Sequence, residues 1–501
     1  MNLMMLLEMA AQGFGSRVAI QNGGDCLSYD ELYRAAGAAA REFRDSKADH
    51  VSLLDVSSLA VPVALFASAW AGLPFVPLNY RLSGPELAAL MARINPALLL
   101  TDDERASNLR TPAGIQVRGR DSFLEAARSA TSPESNDWET DPDAIAILLF
   151  TSGTTGIPKA AVLRHKHLVS YILGSVEFGA AGEDDAALVC VPPYHVAGMA
   201  ALLSSVYAGR RVVQLANFDA QSWLDLARKE RVTNAFVVPT MLAQIIDALE
   251  GQTRADLPHL RSLSYGGGKM PLSVIEKAMA LFPEANFTNA YGLTETSSTI
   301  TILDPDDHRT AANSEDDAVR RRLVSVGRAL PSIEIEIHDE AGLPVAAGER
   351  GEICVRGEQV SGEYLGTGSL LNEAGWFPTR DAGHLDAEGY LFLEGRIDDV
   401  IVRGGENLSP GEIEDVLLEH EAVADAAVVG IPDERWGEGV AAAVVLKTGC
   451  QASDEELKDW VKRHLRSSRV PQQIGFRDQL PYNETGKLLR RRVREDLAGE
   501  A

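Results

Sequence analysis

Nine consecutive residues, Thr151-Ser152-Gly153-Thr154-Thr155-Gly156-Ile157-Pro158-Lys159, carry the densest set of anion-holding groups in the chain. The glycines let backbone amides turn toward a ligand, the hydroxyls add donors, and Lys159 adds a positive charge. That inventory suits phosphate oxygens. It is not a Walker loop, because no Gly-Lys-Ser/Thr closes it. The run follows directly on an apolar stretch, Ala144–Phe150, that reads as a buried strand, so the loop is placed at the end of a rigid element.

Further along, in order, stand Pro193-Tyr194-His195, Tyr265-Gly266-Gly267-Gly268, Asn289-Ala290-Tyr291-Gly292-Leu293-Thr294-Glu295-Thr296, Trp376 to Asp381, Gly395 to Asp399, Arg403 to Asn407, and Pro481 to Lys487. Taken with the first loop, this series resembles the motifs of the adenylate-forming enzymes, the superfamily of acyl-CoA synthetases, firefly luciferase and peptide synthetase adenylation domains. It is nearest to the acyl-CoA synthetases. The resemblance implies ATP-dependent conversion of a carboxylic acid to an acyl-adenylate, then transfer of the acyl group to coenzyme A.

Each block has a physical reading beside the resemblance. A carboxylate such as Glu295 repels a triphosphate unless a divalent cation lies between them, so Glu295 is the candidate Mg²⁺ ligand, with Thr294 beside it. Asp381 can accept hydrogen bonds from both ribose hydroxyls, and Arg396 can donate on the ribose or α-phosphate side. The resemblance places Tyr291 against adenine, a core tyrosine being the alternative, with Asn289, Ala290, Gly292, Gly267 and Gly268 around the base. Thr151, Ser152, Gly153, Thr154, Thr155, Gly156 and Lys159 are assigned to the phosphates, and Thr154 is counted among the catalytic groups. The resemblance makes Lys487 the ammonium placed where a substrate carboxylate attacks the α-phosphorus and negative charge accumulates. The second step needs positioning but no protein nucleophile, and no Ser-His-Asp or Cys-His arrangement is apparent. The resemblance makes His195 a gate between acyl pocket and thiol route. It lines the pocket with Tyr194, His195, Val237, Pro239, Tyr265 and Gly266, assigns Gly404 and Gly405 to the CoA route, and makes Asp398 a hinge. Three positions depart from the family's usual residues: Ala160 and Arg380, where Gly is common, and Lys269, where Ala or Pro is common.

An amino-acid substrate needs its ammonium matched, yet Phe236-Val237-Val238-Pro239 is apolar. The competing reading is a stand-alone adenylation enzyme that loads an acyl carrier protein. A non-catalytic relative is disfavoured by the joint presence of Lys487, Glu295, Thr154 and Asp381.

The bulk properties set the frame. The chain has 501 residues, 24% charged and 45% hydrophobic, with a net charge of −25. Such an acidic surface excludes nucleic acid and anionic membrane as main partners, and it obliges anionic ligands to rely on local amides and cations. Cys26, Cys190, Cys354 and Cys450 form no metal or disulfide pattern and fit a reducing cytoplasm. The first fifteen residues read as an amphipathic helix, not a signal peptide. Leu59 to Leu78 is uncharged but broken by Pro62, Gly72, Pro74 and Pro77, so it reads as a buried helix near Val61–Ala71 followed by a short strand, not a transmembrane segment. Both monomer and homodimer are compatible with this composition.

At 501 residues more than one core is expected. Apolar runs at Val51–Leu54, Ala97–Thr101, Ala144–Phe150, Ala187–Val191, Val212–Leu215 and Ala235–Val238 alternate with helical stretches, which predicts α/β architecture with largely parallel sheets. Thr310 to Arg321 is charged and poor in large apolar residues, and is expected to be a mobile excursion. From Ser332 alternating strands with glycine turns predict a small barrel-like β subdomain. A second unit follows, with a helix over Pro410–Glu419, strands Ala424–Val429 and Val440–Leu446, and a helix over Asp454–Leu465. The expectation is therefore an α/β protein: a large N-terminal domain, 1–396, of two α/β subdomains plus the β subdomain, and a small mobile α+β domain, 397–501.

Overall fold

The computed structural model describes residues 1–129, 137–138, 140–151, 158–433, 435–483 and 488–499. Two large sheets dominate the first part. One runs, edge to edge, through Gly368–Ser369, Glu363–Tyr364, Lys159–Arg164, Ile145–Thr151, Phe75–Pro77, His50–Leu54, Ala97–Thr101 and Ile115–Gly119. From Ile145–Thr151 to Ile115–Gly119 its pairings are parallel. The other runs through Arg328–Ala329, Ser298–Leu303, Asn286–Leu293, Ser262–Gly266, Asn234–Val237, Ala186–Val189, Arg211–Gln214, Val18–Asn22 and Asp25–Ser28. Its interior pairings are also parallel, and antiparallel strands close both edges. The earliest strands of the chain thus complete the later sheet, tying the two α/β units together.

Between the sheets lies the largest core. The helix Ala60–Ala71 is buried almost all round, because every face is apolar and neighbours surround it. Its twelve residues are too few to cross a bilayer, and among the described residues no helix is long and apolar enough to do so. The helix Met4–Phe14 packs Met4, Leu6, Leu7 and Ala10 into the same core. The helix Tyr29–Asp45 begins with a reciprocal cap between Ser28 and Glu31 and buries an alanine-rich stripe there.

The β subdomain is a four-stranded antiparallel sheet of Glu334–His338, Gly351–Arg356, Phe377–Leu385 and Leu391–Arg396. Beyond it a further sheet is built from Glu406–Leu408, Ile401–Arg403, Gly437–Leu446 and Val423–Asp433, with Gln473–Phe476 added in parallel. Strand periodicity divides its two faces. Ala426, Val428, Ala442 and Val444 pack with the helices Pro410–Leu418 and Asp454–His464. Ala427, Val429, Ala441 and Ala443 pack with Val493 and Leu497 of the helix Arg490–Gly499.

One expectation is corrected. Within Thr310 to Arg321 the structure has the end of the helix Pro305–Ala312 and the short helix Asp317–Arg320. Ala311 and Leu323 are buried in the core of the second α/β unit, and His308 is hydrogen-bonded to Tyr265. The charged sequence covers the outer face of an anchored element.

Candidate active site

A cavity of about 1860 Å³ opens where the two large sheets, the β subdomain and the C-terminal unit meet. A drug-sized pocket is typically ~300–1,000 Å³, so there is room for more than one ligand. The motif residues converge on it. Thr151 ends its strand at the rim, and Lys159 begins the next. Ser152, Gly153, Thr154, Thr155 and Gly156 lie outside the described residues, as does Lys487.

At the centre Asp381 stands in the strand Phe377–Leu385, paired across to Arg396 in the neighbouring strand. Arg396 donates to one carboxylate oxygen at 2.8 Å, and the hydroxyl of Tyr291 donates to the other at 2.7 Å. Burial and the adjacent Asp381 charge hold the Tyr291 phenol well above its ordinary pKa, so it remains a donor. Glu295 sits in a short 3-10 turn, Thr294–Thr296, directly after the strand carrying Asn289 to Leu293. It is 8% exposed and accepts a short hydrogen bond from Tyr364. Burial, then the Glu295 charge, pushes the Tyr364 phenol far up, and the Lys159 ammonium lies 5.5 Å from its ring centroid.

Among the described residues no group of three or more His, Cys, Asp or Glu side chains is placed to hold a metal by itself. That suits magnesium, which takes one or two carboxylates and completes its octahedron with water and phosphate oxygens. Glu295 fits that role.

Ala290, Gly292, Thr294, Gly267 and Gly268 line the same cavity. Gly267 has φ +80, in the left-handed region, which lets the chain turn off the end of the strand Ser262–Gly266. Asn289 also reaches the wall, but its amide nitrogen donates to the Ser325 carbonyl at 2.9 Å, so that donor is committed to the protein.

The acyl side is partly redrawn. Tyr194, His195 and Pro239 line the cavity. His195 precedes the helix Val196–Ala208, its ring 4.5 Å from that of Tyr194, and its buried Nε2 has no hydrogen-bond partner. Burial, assisted by Arg81, lowers its pKa to about 4, so the imidazole is neutral at physiological pH. Val237, Tyr265 and Gly266 do not line the cavity. Side chains alternate along a strand: Ser262 and Ser264 face the cavity, whereas Leu263 and Tyr265 enter the core behind the sheet. Val237 joins that core for the same reason. At Gly266 a Cβ would come within 2.1 Å of the Ala290 carbonyl oxygen, so the glycine admits the neighbouring strand, not a ligand.

Across the cavity stand residues flanking Lys487. Tyr482 and Leu488 form an antiparallel bridge, and both line the wall. Tyr482 donates to Asp425 at 2.9 Å. Arg490 grips the buried Glu414 through both carboxylate oxygens, one at 2.8 Å, donates to the Val428 carbonyl at 2.7 Å, and lies 3.4 Å from Asp399. Gly404 and Gly405, by contrast, form the left-handed turn of the hairpin Ile401–Leu408 away from the cavity, with Gly404 against the Trp436 ring.

The departing residues now have partners. Lys269 makes an ion pair with Asp415 at 2.5 Å, and Arg380, at φ +63, makes one with Asp398 at 2.5 Å. Arg380 therefore leaves Asp381 to Arg396. Ala160 is buried within its strand. Sequence reasoning missed Tyr364 and Arg490. No local pattern marks the tyrosine, and the arginine is hidden in the run Arg490-Arg491-Arg492.

The comparisons with known proteins agree with this geometry. Residues 7–365 match the AMP-binding enzyme family, and residues 412–487 match the AMP-binding enzyme C-terminal domain. The chain belongs to the AMP-binding enzyme family. It is 32% identical to a fatty acid–[acyl-carrier-protein] ligase of Streptomyces coeruleorubidus, over 100% of this chain and 97% of that one. It is 33% identical to a feruloyl-CoA synthase of an Amycolatopsis species, over 95% of each. Among solved structures it is similar to the o-succinylbenzoate CoA synthetase of Bacillus subtilis. With the acyl-adenylate bound, that match covers 97% of both chains at 31% identity and a TM-score of 0.82. With ATP and magnesium ion bound, it covers 97% of this chain and 98% of that one at 30% identity and a TM-score of 0.83. The matches span both the large N-terminal part and the small C-terminal one.

Proposed function

We propose that this protein is an AMP-forming acid–thiol ligase, which activates a carboxylic acid with ATP to give acyl-AMP and pyrophosphate and then transfers the acyl group to coenzyme A. The observation that carries this reading is the convergence of Tyr291, Asp381, Arg396 and Glu295 on one cavity that continues into an acyl-sized space past His195.

The ribose hydroxyls of ATP are matched to Asp381, which Tyr291 and Arg396 hold in place. Thr151, Lys159 and the residues between them receive the phosphates, and Glu295, positioned by Tyr364, is the protein ligand for Mg²⁺. Bound there, the ion would offset charge on the phosphate oxygens. Lys487 is assigned to the α-phosphate and the attacking carboxylate. Neutral His195 keeps water and thiol from the mixed anhydride until transfer.

Tyr482 and Leu488, on either side of the lysine motif in sequence, border the cavity while Gly404 and Gly405 do not, which supports reading this arrangement as the one for the first half-reaction. We divide the chain into 1–396 and 397–501, with rotation about Asp398 bringing the glycine pair to the site for the second. A cytoplasmic setting, where both cosubstrates occur, belongs to the same reading; it accommodates a homodimer but does not need one.

The test is a panel of carboxylic acids scored by pyrophosphate release, with and without CoA, on wild type and Glu295→Gln. Release that depends on one class of acid, and a right-shifted Mg²⁺ titration in the variant, is the expected result. The carrier-protein relative supports a second reading. A phosphopantetheinylated carrier protein preferred over CoA as acceptor would decide for it.

A further inference from the structure

One end of the cavity holds a cation, Arg210, that pairs with no carboxylate among the described residues. Arg210 follows the helix Val196–Ala208, whose first turn adjoins His195, so the two residues mark opposite ends of the acyl space. Around Arg210 that end is lined by Ser175, Ser204, Ser205, Asn234 and Ser262. The Arg210 Nε is buried and has no hydrogen-bond partner, and among the described residues no carboxylate pairs with its guanidinium. Arg120 is matched with Asp55, Arg164 with Glu363, Arg211 with Glu230 and Arg396 with Asp381, while Arg17, whose Nη1 also lacks a hydrogen-bond partner, lies over the Phe14 ring. The Tyr29 hydroxyl donates to the Arg210 backbone carbonyl at 2.9 Å and not to its side chain.

A guanidinium partly withdrawn from water with its Nε unpartnered is costly, and a planar anion that fits its fork repays the cost. The flanking hydroxyls and the Asn234 amide can satisfy whatever lone pairs the fork leaves. A wholly apolar acyl tail would do neither.

We propose that the acid activated by this enzyme carries a second carboxylate at its far end, and that Arg210 is the specificity-determining residue that receives it. The inference rests on the ligase reading above. The strand Ser262–Gly266 runs beside this path for about 13 Å at ~3.3 Å per residue. Arg210 lines the cavity and takes up part of that length, so the two carboxyl groups should be on the order of 10 Å apart.

The experiment measures kcat/KM for pyrophosphate release with α,ω-dicarboxylic acids from adipic to dodecanedioic acid, each beside its monomethyl ester. Wild type, Arg210→Gln and Arg210→Lys are compared, with decanoic acid as the plain monoacid. The expected result is a preference of about tenfold or more for the best diacid over its ester, as a charge-assisted contact implies. That preference should collapse toward one in Arg210→Gln and be partly kept in Arg210→Lys, while decanoic acid stays within about threefold throughout. Wild type that takes ester and diacid alike overturns the proposal without reference to any variant, and so does a preference that survives in Arg210→Gln. If no acid in the panel releases pyrophosphate, the ligase reading is what has failed. Calorimetric binding of the diacids to wild type and Arg210→Gln then decides this proposal separately: tighter binding to wild type sustains it, and equal or absent binding refutes it.

Discussion

The Arg490–Glu414 pair offers the sharpest quantitative test of how the lysine-bearing segment is held. Glu414 is 6% exposed. Among the described residues its carboxylate accepts, apart from Arg490, only from the Val428 amide, at 2.7 Å. Arg490→Met leaves a buried carboxylate with a single donor and also removes the donor to the Val428 carbonyl. Breaking one side of such a pair costs ~3–5 kcal/mol. A domain of this size is stable by roughly 5–10 kcal/mol, so the open fraction should rise about a thousandfold. Native-state hydrogen exchange reads this directly in the strands Val423–Asp433 and Gly437–Leu446, with the N-terminal sheets as an internal control. The double variant Glu414→Leu/Arg490→Met removes both charges and should return to within ~1 kcal/mol of wild type. A drop under about 1 kcal/mol in the single variant, or a double variant no better than the single, would refute the reasoning.

Three further outcomes are expected. Lys487→Ala should nearly abolish adenylate formation while sparing thioester formation from supplied acyl-adenylate; equal losses in the two half-reactions would remove it from the α-phosphate. Asp398→Pro, which fixes φ and also discards the Arg380 pair, should keep pyrophosphate exchange but slow CoA transfer by orders of magnitude; Lys269→Ala, losing a half-exposed pair with Asp415, should shift the balance between half-reactions by no more than about fivefold. The His167 Nδ1 accepts from the Arg164 amide at 3.3 Å, and burial lowers its pKa to about 4. The unfolded chain, with His near 6.5, therefore binds that proton first. Stability should fall as pH drops from about 6.5 to 4, and His167→Gln should flatten that slope in thermal melts taken across the window.

The strands were legible wherever a short apolar run stood between turn residues: Ala97–Thr101 is predicted and found, and Asn234–Val237 is displaced by one residue. Nucleotide-side residues were legible because they cluster in short motifs that fold as local turns off strand ends, as at Gly267 and Thr294–Thr296. The acyl wall was less so. A contiguous motif names neighbours, whereas a strand sends neighbours to opposite faces, and Tyr265 and Val237 were lost on that account. The helices between Pro305 and Arg320 escaped notice because they show only His308 and Ala311 to the core. Tyr364, Arg210 and Arg490 owe their positions to tertiary contacts with residues remote in sequence, which periodicity does not encode.

The alternation along Ser262–Gly266 has a bearing on how such an enzyme diversifies. Ser262 and Ser264 line the cavity, while Leu263 and Tyr265 carry the packing behind the sheet. Recognition and folding are thus written on separate letters of the same short word. Substitutions at 262 and 264 can explore new acids with little penalty in stability, and a library confined to such alternate positions should retain far more folded members than one that randomises the whole strand.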